Sequence, residues 1–446
     1  MENLLHTSSI SRQKLKKDFF KYMIPSVLSM WVSALYIMVD GMFVSKGVGT
    51  TALASVNIIT PFINMMFGLS VLFSIGSSTV ISSSLGKNDN KKANEYFSLS
   101  IAFLTIISII LSIFSYIFVE DICKVLGANG EILLIAKEYL KIIIVFAPFY
   151  IVSYALEVII KVDGYPHLSI IGVVISALTN IVLDYVFVFI FNWGVEGAGL
   201  ATGLARAFSF IFFFIHFIST KSTLKFVKFK FDFSFIKRIS KIGISDCVTE
   251  MSLGVVILLF NQVILYVIGE PGLVTYSVIS YVNTLVLSTM LGISQGLQPL
   301  SSYYNGKNDN KSVKELIIIA LKTTTILSLI IFVICLLFGD IIVTMFIDKG
   351  DLDIFNYTVK YFKTYSVSFI LIGFNVLISG ALASIHKTKD AGLISILRGI
   401  IMVSISIIVC TYLFGHIGIW ISTIVSELLV FYISIRKLNN VFLKYN

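Results

Sequence analysis

Four polar side chains inside strongly apolar stretches are of types that bind small cations: Asp40, Asn180, Asp184 and Thr202. Asn180 and Asp184 are four residues apart, so on a helix they share one face. At about 1.5 Å per residue, Asp40, Asp184 and Thr202 each lie roughly 10 to 14 Å below the connections at the outer ends of their helices. Two carboxylates, an amide oxygen and a hydroxyl at one level suit Na⁺, and two neighbouring carboxylates also hold a proton readily. The residues therefore predict a site for Na⁺ or H⁺.

The same residues have a structural interpretation. Asp40 could cap the end of a helix, and Asp184 could bond Asn180 and so hold helices together. A carboxylate inside a bilayer costs several kcal/mol, however, and packing alone does not need that cost. We therefore favour the cation site.

The elements that must position these residues are membrane helices. The 446 residues are 57% hydrophobic and 13% charged, with a mean hydropathy of +0.93, which is far more apolar than a soluble protein. Crossing about 30 Å of hydrocarbon takes roughly 20 helical residues. Twelve segments are long enough, and their predicted bounds are 20–44, 52–83, 97–119, 132–160, 167–191, 195–218, 240–267, 272–302, 315–346, 357–385, 391–414 and 417–435. The sequence predicts an all-α membrane protein.

The chain is an internal duplication. Residues 21–90 align without a gap on residues 241–310, and both stretches end in Gly-Lys-Asn-Asp-Asn, at 86–90 and 306–310. Six predicted helices fall in each half, and a charged connector at 219–238 joins the halves. We therefore expect two six-helix bundles, formed by residues 1–220 and 221–446, an arrangement typical of secondary transporters.

Basic residues predict the orientation. Alternate connections, beginning with the N-terminus and including the connector, hold 24 of the 34 Lys and Arg residues, whereas the other connections hold seven. This split places both termini in the cytoplasm and assigns the net charge of +9 to membrane topology rather than to nucleic-acid binding. Residues 1–17 lack the apolar core of a signal peptide.

Enzymatic motifs are not found in the sequence. The four cysteines are scattered in apolar runs and predict packing rather than disulfides, and the five histidines show no metal-binding spacing. No glycine-rich phosphate loop precedes a Lys-Ser or Lys-Thr pair. We expect no enzyme activity and no cofactor apart from a coupling H⁺ or Na⁺.

Several motifs, spread in order over essentially the whole chain, resemble those of the multidrug and toxic compound extrusion (MATE) family. The motifs are Tyr22–Pro25, Leu35–Val44, Asn180–Asp184, Gly197–Thr202, Gly292–Pro299 and Gly418–Trp420. Each string alone is weakly specific, but the set on a duplicated twelve-helix background is strong. The resemblance implies a MATE-like fold of two bundles around a central cleft and export of small organic cations or drugs in exchange for H⁺ or Na⁺. We expect a monomer in the cytoplasmic membrane.

The resemblance also assigns residues. It places the family's coupling residues on Asp40, Asn180, Asp184 and Thr202, and it matches Glu250 to a carboxylate that some members carry in the seventh helix. Those members have a further acid in the tenth helix, which is absent from residues 366–384. The further candidates for the transport path are Glu250, Arg206, Asn57, Gln295 and Asn375.

Basic residues within the predicted helices raise separate questions. Arg206 is too deep to reach the surface comfortably, so we expect an acidic partner, although it could instead meet an anionic part of a substrate. Glu250 could likewise be a hydrogen-bonded structural acid. Arg398 and Lys322 lie nearer the cytoplasmic ends, where their side chains are expected to extend to the surface.

Two other functions are consistent with a polytopic membrane protein. A flippase for lipid-linked saccharides would need several cations in its cleft, and only Arg206 is deep. A channel would need a ring of like residues, and a membrane-embedded enzyme would need catalytic motifs. The sequence therefore favours a cation-coupled exporter.

Overall fold

The computed structural model describes residues 12–347 and 352–445, and within them twelve helices are long and apolar enough to cross a membrane. We number them helices 1 to 12. Their bounds are Arg12–Gly47, Thr51–Gly86, Asn90–Ile117, Gly130–Val162, Pro166–Ile190, Gly194–Ile218, Phe233–Val267, Glu270–Gly306, Asn310–Leu337, Leu352–Ser384, Thr388–Phe414 and His416–Phe442. The prediction of an all-α membrane protein with twelve spans is confirmed.

Some helix ends differ from the predicted bounds. Helix 1 begins at Arg12 rather than at residue 20, because a helix can continue through basic residues once it has left the apolar layer. The segment predicted at 315–346 is divided at Phe338, where the backbone leaves the helical region, and a short helix follows at Gly339–Thr344. A similar short helix, Val119–Val125, follows helix 3. Apolar composition alone does not show such breaks.

The two Gly-Lys-Asn-Asp-Asn runs form turns of the same geometry. Asn88 and Asn308 have positive φ angles of 60° and 58°, a region that asparagine tolerates. Asp89 and Asp309 then cap helices 3 and 9, each accepting the backbone N–H three residues later, at 3.1 and 3.0 Å. The duplication in the sequence is therefore also a duplication of local structure.

The described chain divides into two compact units. The N-terminal unit comprises residues 28–84 and 88–254, and the C-terminal unit comprises the described residues of 1–27, 85–87 and 255–446. The divisions at 27 and 254 fall inside helices 1 and 7. The domains 1–220 and 221–446 were predicted from the repeat in the sequence. They are a different division from these units and stay a prediction.

Glycines let helices of the N-terminal unit approach closely. Helix 4 packs against helices 3, 5 and 6. A Cβ on Gly203 of helix 6 would lie 2.3 Å from the Phe146 ring of helix 4, so only glycine fits there. This close approach brings Thr202 and Arg206, the neighbours of Gly203 on helix 6, against helix 4.

Candidate cation and substrate site

Three helices of the N-terminal unit bring the predicted cation ligands together. Oδ1 of Asp40, on helix 1, accepts hydrogen bonds from Asn180 Nδ2 of helix 5 at 3.4 Å and from Thr202 Oγ1 of helix 6 at 3.3 Å. Asn180 Nδ2 also donates to Thr202 Oγ1 at 3.3 Å. All three distances are long for hydrogen bonds, which leaves the cluster loosely closed.

Asp184 completes this cluster, next to Asp40 and Asn180. Its side chain is fully buried, and it interacts electrostatically with Asp40. Within the described residues, neither carboxylate oxygen of Asp184 accepts a hydrogen bond, and Asn180 Oδ1 accepts none either. Buried polar atoms without a partner are rare in proteins. Three such oxygens beside a second carboxylate are the ligands that a Na⁺ ion or a proton would satisfy.

The backbone of helix 5 changes where Asp184 lies. The α-helix Pro166–Asp184 passes directly into a π-helical segment, Tyr185–Ile190. Such segments are rare and occur frequently at functional sites. The widened turn therefore follows immediately after the buried carboxylate.

The geometry contradicts one part of the structural interpretation of these residues, the helix cap. Asp40 lies within helix 1, seven residues before its last residue, Gly47, and so does not cap a helix end. The Asn180 amide donates to Asp40 and Thr202, and Asn180 also interacts with Asp184, as that interpretation expected. The site remains a candidate for cation coupling.

A cavity of about 170 Å³ adjoins Asp40. Its charged groups come from Asp40 and Arg206, and Thr202 is one of its polar residues. Aromatic rings come from Tyr36, Tyr139, Phe146 and Tyr150. Drug-sized ligands occupy pockets of about 300 to 1,000 Å³. In this conformation the cavity is therefore smaller than a pocket that encloses a whole drug-sized molecule.

Arg206 interacts electrostatically with the buried acid Glu157 but does not lie within salt-bridge distance of it. Within the described residues Arg206 forms no ion pair. Its Nη2 donates to Tyr36 Oη at 2.6 Å, and the guanidinium lies over the Tyr150 ring, 4.7 Å from the centroid. A planar guanidinium is weakly hydrated and stacks on aromatic faces, so a phenol and two rings replace the carboxylate that we expected.

A protein-family model matches the chain twice. The MatE family model matches residues 25–186 and again residues 247–408, which together make up more than half of the chain. The chain belongs to the MATE family. The first residues of the two matches differ by 222, which is close to the offset of 220 between the repeated stretches 21–90 and 241–310.

Relatives of this MATE chain include two proteins named multidrug export protein MepA. The one from Staphylococcus saprophyticus is 26% identical over 413 residues, covering 92% of this chain and 90% of the relative. The one from Staphylococcus aureus strain RF122 is also 26% identical, over 421 residues, with the same coverage of both chains.

Solved structures show the same fold. A crystal structure of a MATE protein superimposes with a TM-score of 0.90 at 19% identity, covering 96% of this chain and 97% of the other. An outward-facing multidrug resistance MATE transporter superimposes with a TM-score of 0.90 at 20% identity, covering 96% of each chain. The MATE-like fold predicted from the sequence is confirmed.

The remaining candidates lie outside the cavity of this MATE chain. Asn57 is exposed on helix 2, although Thr60 and Asn64 of the same helix do line the cavity. Glu250 is half-buried on helix 7. Gln295 is buried in helix 8, which belongs to the C-terminal unit.

Asn375 belongs to a different polar cluster, in the C-terminal unit. Its Nδ2 donates to Glu427 Oε2 at 2.7 Å, and its Oδ1 accepts from Ser434 at 2.9 Å. Arg398 Nε donates to Glu427 Oε1 at 2.9 Å, and both side chains of this ion pair are largely buried, with 12% and 4% exposed. The expectation that Arg398 extends to the membrane surface is therefore wrong, because helix 12 supplies a carboxylate within reach.

Sequence reasoning missed the aromatic wall of the cavity. Tyr36 lies four residues before Asp40, so the two side chains share a helix face, and this spacing was the available signal. Tyr139 and Tyr150 of helix 4 carried no such signal, because nothing in their local sequence distinguishes them from packing residues.

Proposed function

We propose that this MATE protein exports amphipathic organic cations across the cytoplasmic membrane in exchange for H⁺ or Na⁺. The observation that carries the proposal is the cluster of Asp40, Asn180, Asp184 and Thr202, whose unsatisfied oxygens adjoin an aromatic cavity. The names of the staphylococcal relatives, multidrug export proteins, support the direction of transport and the kind of substrate.

The aromatic wall is suited to the charged end of a substrate. Ring faces attract cations, with about 0.5 to 2 kcal/mol for each contact. Asp40, at the edge of the same cavity, adds a negative charge. Arg206 already covers part of the Tyr36 and Tyr150 rings, which leaves Tyr139 and Phe146 as the unshared aromatic surfaces of this set.

Coupling follows from competition for the carboxylates. A proton or Na⁺ entering the cluster adds one positive charge beside Asp40 and Asp184, and the attraction of the cavity for an organic cation then falls. A ligand shifts a conformational equilibrium only by its differential affinity for the two states. The two cations therefore exchange because both need the same negative charge.

A flippase of lipid-linked saccharides is the weaker alternative. An anionic pyrophosphate would need several cationic side chains, and the charged residues that line the cavity are one arginine and one aspartate. Arg206 is in addition bonded to Tyr36.

The test is uptake of a fluorescent organic cation into proteoliposomes under an imposed proton gradient and, separately, under an imposed sodium gradient. We expect Asp40→Asn and Asp184→Asn each to abolish gradient-driven transport while elution profile and thermal stability are kept. Glu250→Gln, which also removes an intramembrane carboxylate, is the matched control and should have the smaller effect. Normal gradient-driven transport by the Asp40→Asn, Asp184→Asn double variant would sink the proposal.

A further inference from the structure

The connector between the two halves contains alternating lysine and aromatic residues. We call residues 225–233, with the sequence KFVKFKFDF, the Lys-Phe strip. It follows helix 6 and runs into the first residue of helix 7, Phe233, and residues 225–232 belong to no helix or strand. Because helices 6 and 7 are both long and apolar enough to cross a membrane, we place the strip near the membrane surface, on the side where these two helices are connected.

The beginning of the strip is fixed on helix 3. The backbone N–H of Lys225 donates to Asn94 Oδ1 at 2.9 Å, and that of Val227 donates to Ser98 Oγ at 2.9 Å. The Phe226 ring packs against Phe97, with 4.8 Å between the centroids. The segment is therefore held in a defined position rather than tethered only at its ends.

The rest of the strip exposes apolar rings. Phe229, Phe231 and Phe233 are 40%, 66% and 71% exposed. Burying apolar surface is favourable by about 25 cal/mol of free energy per Å². Three exposed rings at alternate positions of one short segment therefore favour an apolar environment. Aromatic side chains at the ends of membrane helices find that environment at the level of the lipid headgroups.

The lysines between the rings are available for an external partner. Lys228 and Lys230 are exposed and form no ion pair within the described part of the chain. Lys225 differs, because its Nζ donates to the carbonyl of Ser219 at 2.6 Å. The acid of the strip, Asp232, accepts from the backbone and side chain of Ser234 at 2.8 and 2.7 Å and so caps helix 7.

We propose that the Lys-Phe strip binds anionic phospholipid headgroups. Lys228 and Lys230 contact lipid phosphates, while the rings of Phe229, Phe231 and Phe233 insert among the headgroups. The charge of the two uncommitted lysines and the apolar rings between them match the two parts of such a lipid surface, whereas a soluble anion would leave the rings in water. The proposal does not depend on the cation site, because no residue of the strip lines the cavity.

The first test measures the depth of the strip. A thiol spin label on Phe231→Cys reports on this position, because all four native cysteines are buried. The control label is on Lys221→Cys, an exposed residue before the strip. In vesicles with phosphatidylglycerol we expect the label at 231 to collide more with oxygen than with a water-soluble nickel complex, and the label at 221 to show the reverse. Equal exposure of both labels to the nickel complex would overturn the insertion of the rings.

The second test measures lipid selectivity with the full protein in detergent. Each lysine near an anionic surface contributes about 1 kcal/mol, so Lys228→Gln with Lys230→Gln should weaken phosphatidylglycerol binding about 30-fold. Binding of phosphatidylcholine should not change. The matched control removes the same charge at Lys87 and Lys91, exposed residues of another connection, and should have little effect.

Inorganic phosphate distinguishes a lipid from a free anion. We expect millimolar phosphate to leave the binding of phosphatidylglycerol unchanged, because phosphate lacks the acyl chains that hold the rings. Full competition by phosphate, or equal losses in the strip variant and the control variant, would overturn the proposal.

Discussion

The buried ion pair of the C-terminal unit gives a quantitative prediction. In Arg398→Met, Glu427 keeps its hydrogen bonds from Asn375 but loses its counter-charge inside a helix bundle. Removing one partner of a buried ion pair typically costs about 3 to 5 kcal/mol, because the other charge stays buried. The salt bridge of 2.9 Å and the 4% exposure of Glu427 place this pair among those buried cases. We therefore expect Arg398→Met to lower the free energy of unfolding by at least about 3 kcal/mol.

Denaturant unfolding of the protein in detergent measures this cost. Glu427→Leu should be destabilised by a similar amount, because it leaves the guanidinium unpaired. Replacing both partners by apolar residues of similar size is often nearly neutral. The double variant Arg398→Met, Glu427→Leu should therefore be more stable than either single variant, with a coupling energy of about 2 kcal/mol or more.

Transport by the double variant also shows whether the Arg398–Glu427 pair stabilises the fold or takes part in ion coupling. Protein that folds in the double variant should retain gradient-driven transport, since no residue of this pair lines the cavity of the N-terminal unit. Additive effects of the two substitutions would refute the ion pair. Loss of coupling in a stable double variant would refute its structural role.

Further predictions address topology, packing and pH. Asn88→Cys should be protected from a membrane-impermeant thiol reagent in intact cells and Val125→Cys should react, and the reverse would overturn the orientation predicted from the basic residues. Gly243→Ala should cost about 1 to 3 kcal/mol in unfolding measurements, because its Cβ would lie 1.8 Å from a backbone oxygen of helix 2, whereas Gly254→Ala in the same helix meets nothing and should be neutral. Two lysines lower the pKa of Glu120 from 4.5 to about 2, so Glu120→Gln should be slightly less stable than the parent above pH 4.5, and melting curves should converge as the pH falls towards 2.

Depth and spacing made the cation cluster predictable. Helical rise is a property of one segment, so the shared level of Asp40, Asp184 and Thr202 could be counted from the sequence. The four-residue spacing of Asn180 and Asp184 placed both on one side of helix 5. The cation site required only that helices 1, 5 and 6 be neighbours, which the family resemblance implied.

Partners on different helices were not predictable in the same way. Arg206 and Tyr36 are 170 residues apart, and Arg398 and Glu427 are 29 apart. Their pairing depends on how each helix is rotated about its axis, which depth does not determine. Both arginines were therefore interpreted from depth alone. Arg206 bonds a tyrosine of another helix where we expected an acid, and Arg398 pairs with an acid of another helix where we expected it to reach the surface.

The two units arrange their buried charges in different ways. In the N-terminal unit, Asp40 and Asp184 face each other and neutral side chains, and oxygens of Asp184 and Asn180 accept no hydrogen bond from the described residues. In the C-terminal unit, Glu427 is neutralised by Arg398, a cation that is part of the chain. A guanidinium cannot be deprotonated under physiological conditions and cannot leave. We infer that, of these two clusters, only the N-terminal one can gain and lose a positive charge during a transport cycle, and so only it can respond to an ion gradient.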